Sequence, residues 1–212
     1  MKTARIRAPR ALVLDRETRK AKAGLLRPLT REVRTLPTSS LECRTAGNQI
    51  TFRGVASSVE SPYDMGFYTE TIKRGAFDKT LAMRPDTMLT ANHEGLPISR
   101  TTNGSLRLFA TDIGLEFEAT ASADDPDAAR VAQKVRDGLM DQCSFAFRCI
   151  ADEWNDNYDQ RDIYEVSLDR GDVSICNFGA NPNTPVTVRS RRTISAAQMR
   201  TLLLRIEAGR RR

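Results

Sequence analysis

The sequence contains a single histidine, His93, among its 212 residues. Histidine is the only side chain whose unperturbed pKa places its charge change near neutral pH, so an acyl-transfer site that needs an imidazole base must use His93. The chain also lacks a run of about 20 apolar residues, which a membrane-spanning helix requires. The basic residues 1–10 lack the apolar region of a secretory signal. We therefore expect a protein that stays in the cytoplasm and does not enter a membrane.

Cysteine pairs spaced for metal binding are also missing. The sequence has no C-x-x-C pattern and, with one histidine, no ligand set spaced for structural zinc. We expect no metal or other cofactor and expect buried thiols at the four cysteines, Cys43, Cys143, Cys149 and Cys176. Cys143 directly precedes Ser144 and is a rival nucleophile. Because neighbours in a strand face opposite sides, only one of the two can face His93.

Charge is distributed unevenly along the chain, although the net value is only +6. Residues 1–40 carry 11 basic and 3 acidic side chains, and residues 185–212 carry 8 basic and 1 acidic. Residues 41–184 hold 14 basic and 23 acidic side chains. Arginine-rich ends suit acidic protein surfaces or nucleic acid, but the acidic centre disfavours a nucleic-acid partner. The alternative is that both ends are solvated, partly disordered tails.

Three parts follow from these patterns: a basic N-terminal extension at 1–40, a central domain at 41–188, and a basic C-terminal helix or tail at 189–212. The extension has short apolar clusters broken by prolines, with room for a short helix around 15–23. A capping pattern at Ser195 predicts a C-terminal helix that ends near Gly209. Packing on the core and docking to a partner or a second copy remain equal alternatives for this helix.

The central domain is predicted to be mainly β within the α+β class. Helices are predicted at 75–83 and between Pro126 and Gly138, the second capped by Asp125. Alternating and β-branched patterns predict strands at 49–56, 87–91, 106–110, 115–120, 143–150, 163–168 and 173–178. The triplet Asp169-Arg170-Gly171 is predicted to be the turn between the last two. His93 then lies where a strand ends, and Ser144 lies near the start of another.

Serine chemistry requires an adjacent base and a third group that orients the base. His93 can serve as the base and Ser144 as the nucleophile. With no second histidine in the chain, the third group must be a carboxylate. Spacing alone does not select Ser144 from the other serines, and a lone histidine is more often structural than catalytic. The residues by themselves therefore leave both interpretations open.

Six short motifs occur in order along residues 41–188: Gly75-Ala76-Phe77, Asn92-His93-Glu94, Asp112-Ile113-Gly114-Leu115, Gly138-Leu139-Met140-Asp141-Gln142-Cys143-Ser144-Phe145-Ala146-Phe147, Asp172-Val173-Ser174 and Ala180-Asn181-Pro182. Their order and spacing resemble those of the tailed-phage prohead (capsid maturation) serine proteases. The resemblance implies a base at His93 and a nucleophile at Ser144. It also implies a small β-barrel with packed helices, like that of the related herpesvirus assemblin proteases.

The resemblance further implies an acid before Val-Ser in a late strand, which falls on Asp172. The family more often has glutamate at that position. Glu165 is the alternative third member, because Glu165-Val166-Ser167 has the same pattern of an acid followed by Val-Ser, one predicted strand earlier. Two other departures are Ala146, where the family has glycine, and Gly179, where it has proline; neither removes a reacting group.

The activity implied by the resemblance is that of a serine endopeptidase acting during phage prohead maturation. Its partners would be the major capsid protein with its scaffolding region, and further copies of this chain in a homo-oligomer. It would cut those proteins and its own tails, in the host bacterial cytoplasm inside the assembling prohead. The alternative is a non-catalytic capsid-assembly or scaffolding protein with the same fold.

Overall fold

The computed structural model of the protein describes residues 14–26, 30–37 and 41–177. The expected C-terminal helix, the Ala180-Asn181-Pro182 motif and Gly179 lie outside the described residues. Helices within these ranges are Arg16–Ala23 (α1), Asp78–Ala82 (α2) and Pro126–Arg136 (α3), with a 3-10 turn at Thr101–Asn103. The strands are Arg31–Pro37 (β1), Glu42–Ala46 (β2), Gln49–Ser58 (β3), Pro62–Asp64 (β4), Thr69–Ile72 (β5), Met88–Ala91 (β6), Glu94–Arg100 (β7), Leu106–Ala110 (β8), Gly114–Ser122 (β9), Gln142–Trp154 (β10) and Gln160–Cys176 (β11).

These strands form two sheets. The first sheet has the order β1-β10-β11-β5-β4, and β6 adds to it by pairing with both β11 and β7. The second sheet has the order β2-β3-β9-β8, and all its pairings are antiparallel. The strands predicted at 106–110 and 115–120 are present as β8 and β9, and they form an antiparallel hairpin in which Ala110 pairs with Leu115.

Apolar side chains from both sheets form one core. Phe52 and Phe117 of the second sheet belong to the same buried cluster as Phe145 and Phe147 of β10. The two β10 rings stack with centroids 4.7 Å apart. Helix α3 adds its apolar face, Ala128, Val131 and Ala132, to this cluster. As predicted, Asp125 caps the helix, accepting a hydrogen bond from the Asp127 amide at 2.9 Å.

The prediction of a turn at Asp169-Arg170-Gly171 is wrong, because β11 is one continuous strand of 17 residues. Its antiparallel pairing with β10 shifts at this point, from Ala146 opposite Asp172 to Arg148 opposite Ser167. The extra residues form a bulge in which Arg170 has a φ of 55°. The bulge divides β11 into a first half that pairs with β5 and a second half that pairs with β6.

Within the predicted N-terminal extension, helix α1 lies at the position, around residues 15–23, where the sequence allows a short helix. Strand β1 was not predicted. This strand pairs with β10 from Arg31 opposite Arg148 to Pro37 opposite Gln142. Because β1 is part of the first sheet, residues 31–37 pack with the central domain. The domain division at residue 40 was drawn from composition and stays a prediction.

A buried ion cluster fastens β1 to the rest of the first sheet. The Arg34 guanidinium donates to both Glu70 carboxylate oxygens, at 2.5 and 2.7 Å, and to Glu32 at 2.6 Å. Arg161 donates to the same two carboxylates, at 2.8 Å to Glu32 and 2.9 Å to Glu70. Burial raises the pKa of Glu32, but Arg161 and Arg34 outweigh it and hold that pKa below its ordinary value. The four charges therefore neutralise one another inside the protein.

The mainly β prediction with few helices is confirmed. The strand pairings of the described residues leave two sheets with edges, and hydrogen bonds do not close them into a ring. Similarity to the herpesvirus protease barrel thus stays a prediction. No helix in the described ranges is long and apolar enough to span a membrane.

The close approach of two backbone segments at the bulge can be tested by a substitution at Gly171. A Cβ on this residue would lie 2.3 Å from the Ala146 carbonyl oxygen and 3.0 Å from that of Leu168. Backbone atoms cannot yield easily, so we expect Gly171→Ala to lower the free energy of unfolding by about 1–3 kcal/mol. Urea denaturation of both proteins measures this difference.

The matched control is Gly24→Ala. A Cβ on Gly24 would meet its nearest atom at 3.5 Å, an ordinary contact, and the residue has a φ of −64°. We expect its stability to change by less than about 1 kcal/mol. Equal stability of the two variants would contradict the close approach at the bulge.

Candidate active site

His93 lies in a two-residue turn between β6 and β7. Ala91 pairs with Glu94 across the turn, and the two central residues, Asn92 and His93, have φ values of 52° and 60°. Positive φ at both central residues is the requirement of a type I′ hairpin turn. The Asn92 amide donates to the Ile175 carbonyl at 3.0 Å, which ties the turn to β11.

A second hydrogen bond fixes the backbone of His93 itself. Its amide donates to Ser174 Oγ at 2.8 Å, and Ser174 Oγ donates to the Thr90 carbonyl at 3.3 Å. Ser174 is fully buried. The imidazole therefore starts from a backbone position held by β11.

Strand register brings the other site residues to the same place. Ser144 on β10 is opposite Ser174 on β11, and Ser174 is opposite Thr90 on β6. Asp172 lies two residues before Ser174 and so shares its face of the sheet. The three site residues thus depend on three adjacent strands: β6 leads into the His93 turn, β11 carries the acid, and β10 carries the serine.

The three side chains make a continuous hydrogen-bonded chain. His93 Nε2 lies 2.6 Å from Ser144 Oγ, and His93 Nδ1 lies 2.6 Å from Asp172 Oδ2. Glu165, the alternative acid, belongs to the first half of β11 and contacts Lys79 Nζ at 2.9 Å. Of the two acids considered, Asp172 is therefore the one in contact with the imidazole.

Asp172 is held by two further donors. Thr90 Oγ1 donates to Oδ2 at 2.9 Å, and Arg31 Nη2 contacts Oδ1 at 2.5 Å. Burial raises the pKa of this carboxyl, but hydrogen bonding and charge from His93 and Arg31 outweigh burial and lower that pKa below its ordinary value. Asp172 is thus a carboxylate at neutral pH and accepts the Nδ1 hydrogen of the imidazole.

The sequence matches the model of the caudovirus prohead serine protease family over residues 35–200. The chain belongs to this family. The resemblance of its ordered motifs to the tailed-phage prohead proteases is therefore confirmed. Membership makes the protein a peptidase.

Among solved structures, the bacteriophage T4 capsid assembly protease, gp21, is similar to this family member. The two are 10% identical, the match covers 71% of this chain and 99% of that chain, and the TM-score is 0.49. No curated protein sequence matches the chain.

In this prohead protease, Ser144 is completely buried, whereas the His93 side chain is 15% exposed. Besides the imidazole, Ser144 Oγ contacts the Arg34 carbonyl oxygen at 2.8 Å and Thr35 Oγ1 at 3.1 Å. Cys143 belongs to the apolar core, and burial raises the pKa of its thiol, with a smaller contribution from Cys176. Of the two adjacent candidates, the serine therefore faces His93.

The sequence did not single out the residues that support these three side chains. Ser174 lay inside a quoted motif and Thr90 inside a predicted strand, and the spacing of two between Asp172 and Ser174 is the signal that could have found Ser174. Arg31 and Thr35 belong to the segment interpreted as an extension. Without knowledge that β1 pairs with β10, nothing in the sequence connects them to the site.

The lowered pKa of Asp172 predicts how the stability of the protein depends on pH. We expect Asp172→Asn to reduce the free energy of unfolding by about 1.5–3 kcal/mol at neutral pH, the usual value for a hydrogen bond to a charged group. The carboxylate's contribution is complete above the unfolded pKa of aspartate, about 3.9. It is lost as the pH falls through the lower folded-state pKa.

Urea titrations of both proteins from about pH 7 to about pH 3 measure this dependence. The control is Asp112→Asn, since Asp112 is 88% exposed and its ion pair with Arg74 contributes little. A stability difference at Asp172 that persists unchanged at the acid end would show that ionisation of the carboxyl is not its source.

Proposed function

We propose that this protein is a serine endopeptidase with Ser144 as the nucleophile, His93 as the general base and Asp172 as the group that orients the base. The observation that carries the proposal is the pair of 2.6 Å contacts, one from each imidazole nitrogen, to Ser144 Oγ and to Asp172 Oδ2. Such an arrangement is the one that activates a serine hydroxyl near neutral pH. A histidine kept only for structure would have no need of a serine and an ionised acid on opposite ring nitrogens.

The chemistry proceeds in two halves. His93 Nε2 takes the hydroxyl proton as Ser144 Oγ attacks the carbonyl carbon of the scissile peptide, and Asp172 stabilises the imidazolium that forms. His93 then protonates the leaving amine, which gives an acyl-enzyme on Ser144. In the second half His93 deprotonates a water molecule that attacks the ester, and the proton returns to Ser144. Both tetrahedral intermediates require donors to the oxyanion, and loss of one donor reduces the rate about 100-fold or more.

The acid differs from the family's more frequent glutamate by one methylene. The shorter side chain still reaches His93 Nδ1, at 2.6 Å, from a position that directly follows the bulge. Arg31 and Thr90 donate further hydrogen bonds to the same carboxylate. The aspartate is therefore held at a hydrogen-bonding distance that does not depend on the longer side chain.

The family's description as prohead serine proteases supports a substrate within the assembling phage head. We propose that the substrates are the N-terminal scaffolding region of the major capsid protein and this protein's own basic ends. The protein would act as a homo-oligomer inside the prohead, in the bacterial cytoplasm. The fold would be related to the herpesvirus protease barrel.

Co-expression with the major capsid protein tests this function. We expect cleaved capsid bands with the native protein and none with Ser144→Ala, because the alanine leaves no nucleophile. Asp172→Asn should reduce the cleavage rate about 10⁴-fold, since an amide favours the wrong imidazole tautomer. Band sizes on gels and mass spectrometry of the products measure both effects.

Glu165→Gln is the matched control for Asp172→Asn, because it makes the same chemical change on the same strand. We expect it to leave cleavage unchanged, since Glu165 contacts Lys79. Identical capsid bands with the native protein and with Ser144→Ala would favour the alternative, a non-catalytic scaffolding protein with this fold.

A further inference from the structure

The nucleophile is closed off in this structure. Ser144 is 0% exposed. A peptide substrate must bring its carbonyl carbon to about 3–3.5 Å from Oγ before attack. Since a fully buried hydroxyl cannot be approached in this way, an element that covers Ser144 must move before a substrate binds.

Strand β1 is the element in contact with Ser144 on the side away from β11. It is the edge strand of the first sheet and runs antiparallel to β10, with Thr35 opposite Ser144. Its Arg34 carbonyl oxygen lies 2.8 Å from Ser144 Oγ, and Thr35 Oγ1 lies 3.1 Å away. One segment of seven residues therefore occupies both the edge of β10 and the space beside the nucleophile.

We propose that β1 is an inhibitory cover that occupies the site of the substrate strand, and that the protease becomes active when β1 leaves the edge of β10. The exposed edge, residues 142–148, would then pair with an extended peptide of the substrate, a common mode of peptide recognition. This inference rests on the proposed function, because it concerns the regulation of the same serine.

The Arg34 carbonyl is oriented to block Ser144 and is not oriented for attack by it. Its oxygen points at Ser144 Oγ and accepts a hydrogen bond. Attack requires the opposite arrangement, with the carbonyl carbon facing Oγ and the oxygen turned toward separate donors. The peptide bond between Arg34 and Thr35 therefore lies beside the nucleophile without being placed for cleavage.

Proton counting gives a second reason. A serine hydroxyl has one hydrogen, and it cannot be donated to His93 Nε2 and to the Arg34 carbonyl at the same time. The two acceptors lie at similar distances from Ser144 Oγ, 2.6 and 2.8 Å. While β1 is in place, its carbonyl competes with the base for the proton that the base must remove. Departure of β1 leaves His93 as the acceptor.

The buried ion cluster permits this departure without stranding a charge. Glu32 and Arg34 belong to β1 and pair with each other at 2.6 Å. Glu70 and Arg161 stay behind and pair at 2.9 Å. Because each half holds an ion pair of its own, and Arg161 also keeps the partly exposed Asp152 at 2.6 Å, separation avoids the large cost of an uncompensated buried charge. Asp172 loses Arg31 but keeps the hydrogen bonds from His93 and Thr90.

A disulfide lock tests the proposal. Val33 and Ala146 are directly opposite each other on β1 and β10. Paired residues of adjacent antiparallel strands have Cα atoms about 4.5–5.5 Å apart, within the range that a disulfide spans. In the full-length double variant Val33→Cys, Ala146→Cys, oxidation would hold β1 on β10 and reduction would release it. The readout is the rate at which a fluorophosphonate labels Ser144, measured by intact mass and peptide mapping.

We expect labelling of the oxidised double variant to be slower than that of the reduced form by about tenfold or more, a difference of about 1.4 kcal/mol or more. The matched control is Arg44→Cys, Thr51→Cys, an opposed pair on β2 and β3 of the second sheet. Its labelling rate should not change on oxidation. Equal rates for the oxidised and reduced Val33, Ala146 variant would overturn the inference and leave the proposed function intact.

Weakening β1 should have the opposite effect. Glu32→Gln removes the β1 carboxylate that pairs with Arg161 across the strand boundary, and we expect it to increase the labelling rate several-fold. If β1 instead only supports the site, this variant should label more slowly, which would also overturn the inference. Circular dichroism and thermal unfolding check that the variant is folded. Lack of labelling in the native chain and every variant would remove the proposed function and the inference with it.

Discussion

The site depends on one carboxylate that three strands share. Asp172 lies on β11 and accepts hydrogen bonds from the Thr90 hydroxyl on β6 and from the Arg31 guanidinium on β1. It also contacts the imidazole of His93, which follows the end of β6. Burial alone would favour the neutral acid. The donors reverse that preference, so the group that must remain ionised for the imidazole to be oriented is also the group that holds these strands together.

A bulge in β11 lies next to this carboxylate. The shift in pairing between Ala146 and Arg148 falls between the segment of β11 that pairs with β5 and the segment that pairs with β6. The close approach of Gly171 to the Ala146 carbonyl is part of the same shift. The two candidate acids lie on opposite sides of the bulge: Asp172 contacts the imidazole, and Glu165 contacts Lys79.

Several features could be predicted from the sequence because they depend on local patterns. Helix α3 follows from its capping residue and apolar face, and the strand that carries Ser144 follows from the alternation around Phe145 and Phe147. The bulge was misinterpreted as a turn, since Asp169-Arg170-Gly171 has the composition of both. Strand β1 was missed because its polar residues are buried through ion pairs with distant side chains, and no local pattern reports such pairs.

The sequence by itself determined that His93 is the only imidazole and that, if His93 acts as a base for a serine, the group that orients it must be a carboxylate. Its ordered motifs also indicated the protease family. Only the tertiary structure decided that Asp172 is the acid in contact with His93 and that β1 lies over Ser144. The reason is that these contacts join residues far apart in the chain, and their distances depend on strand register. A one-residue change in register would turn each side chain to the other face of the sheet.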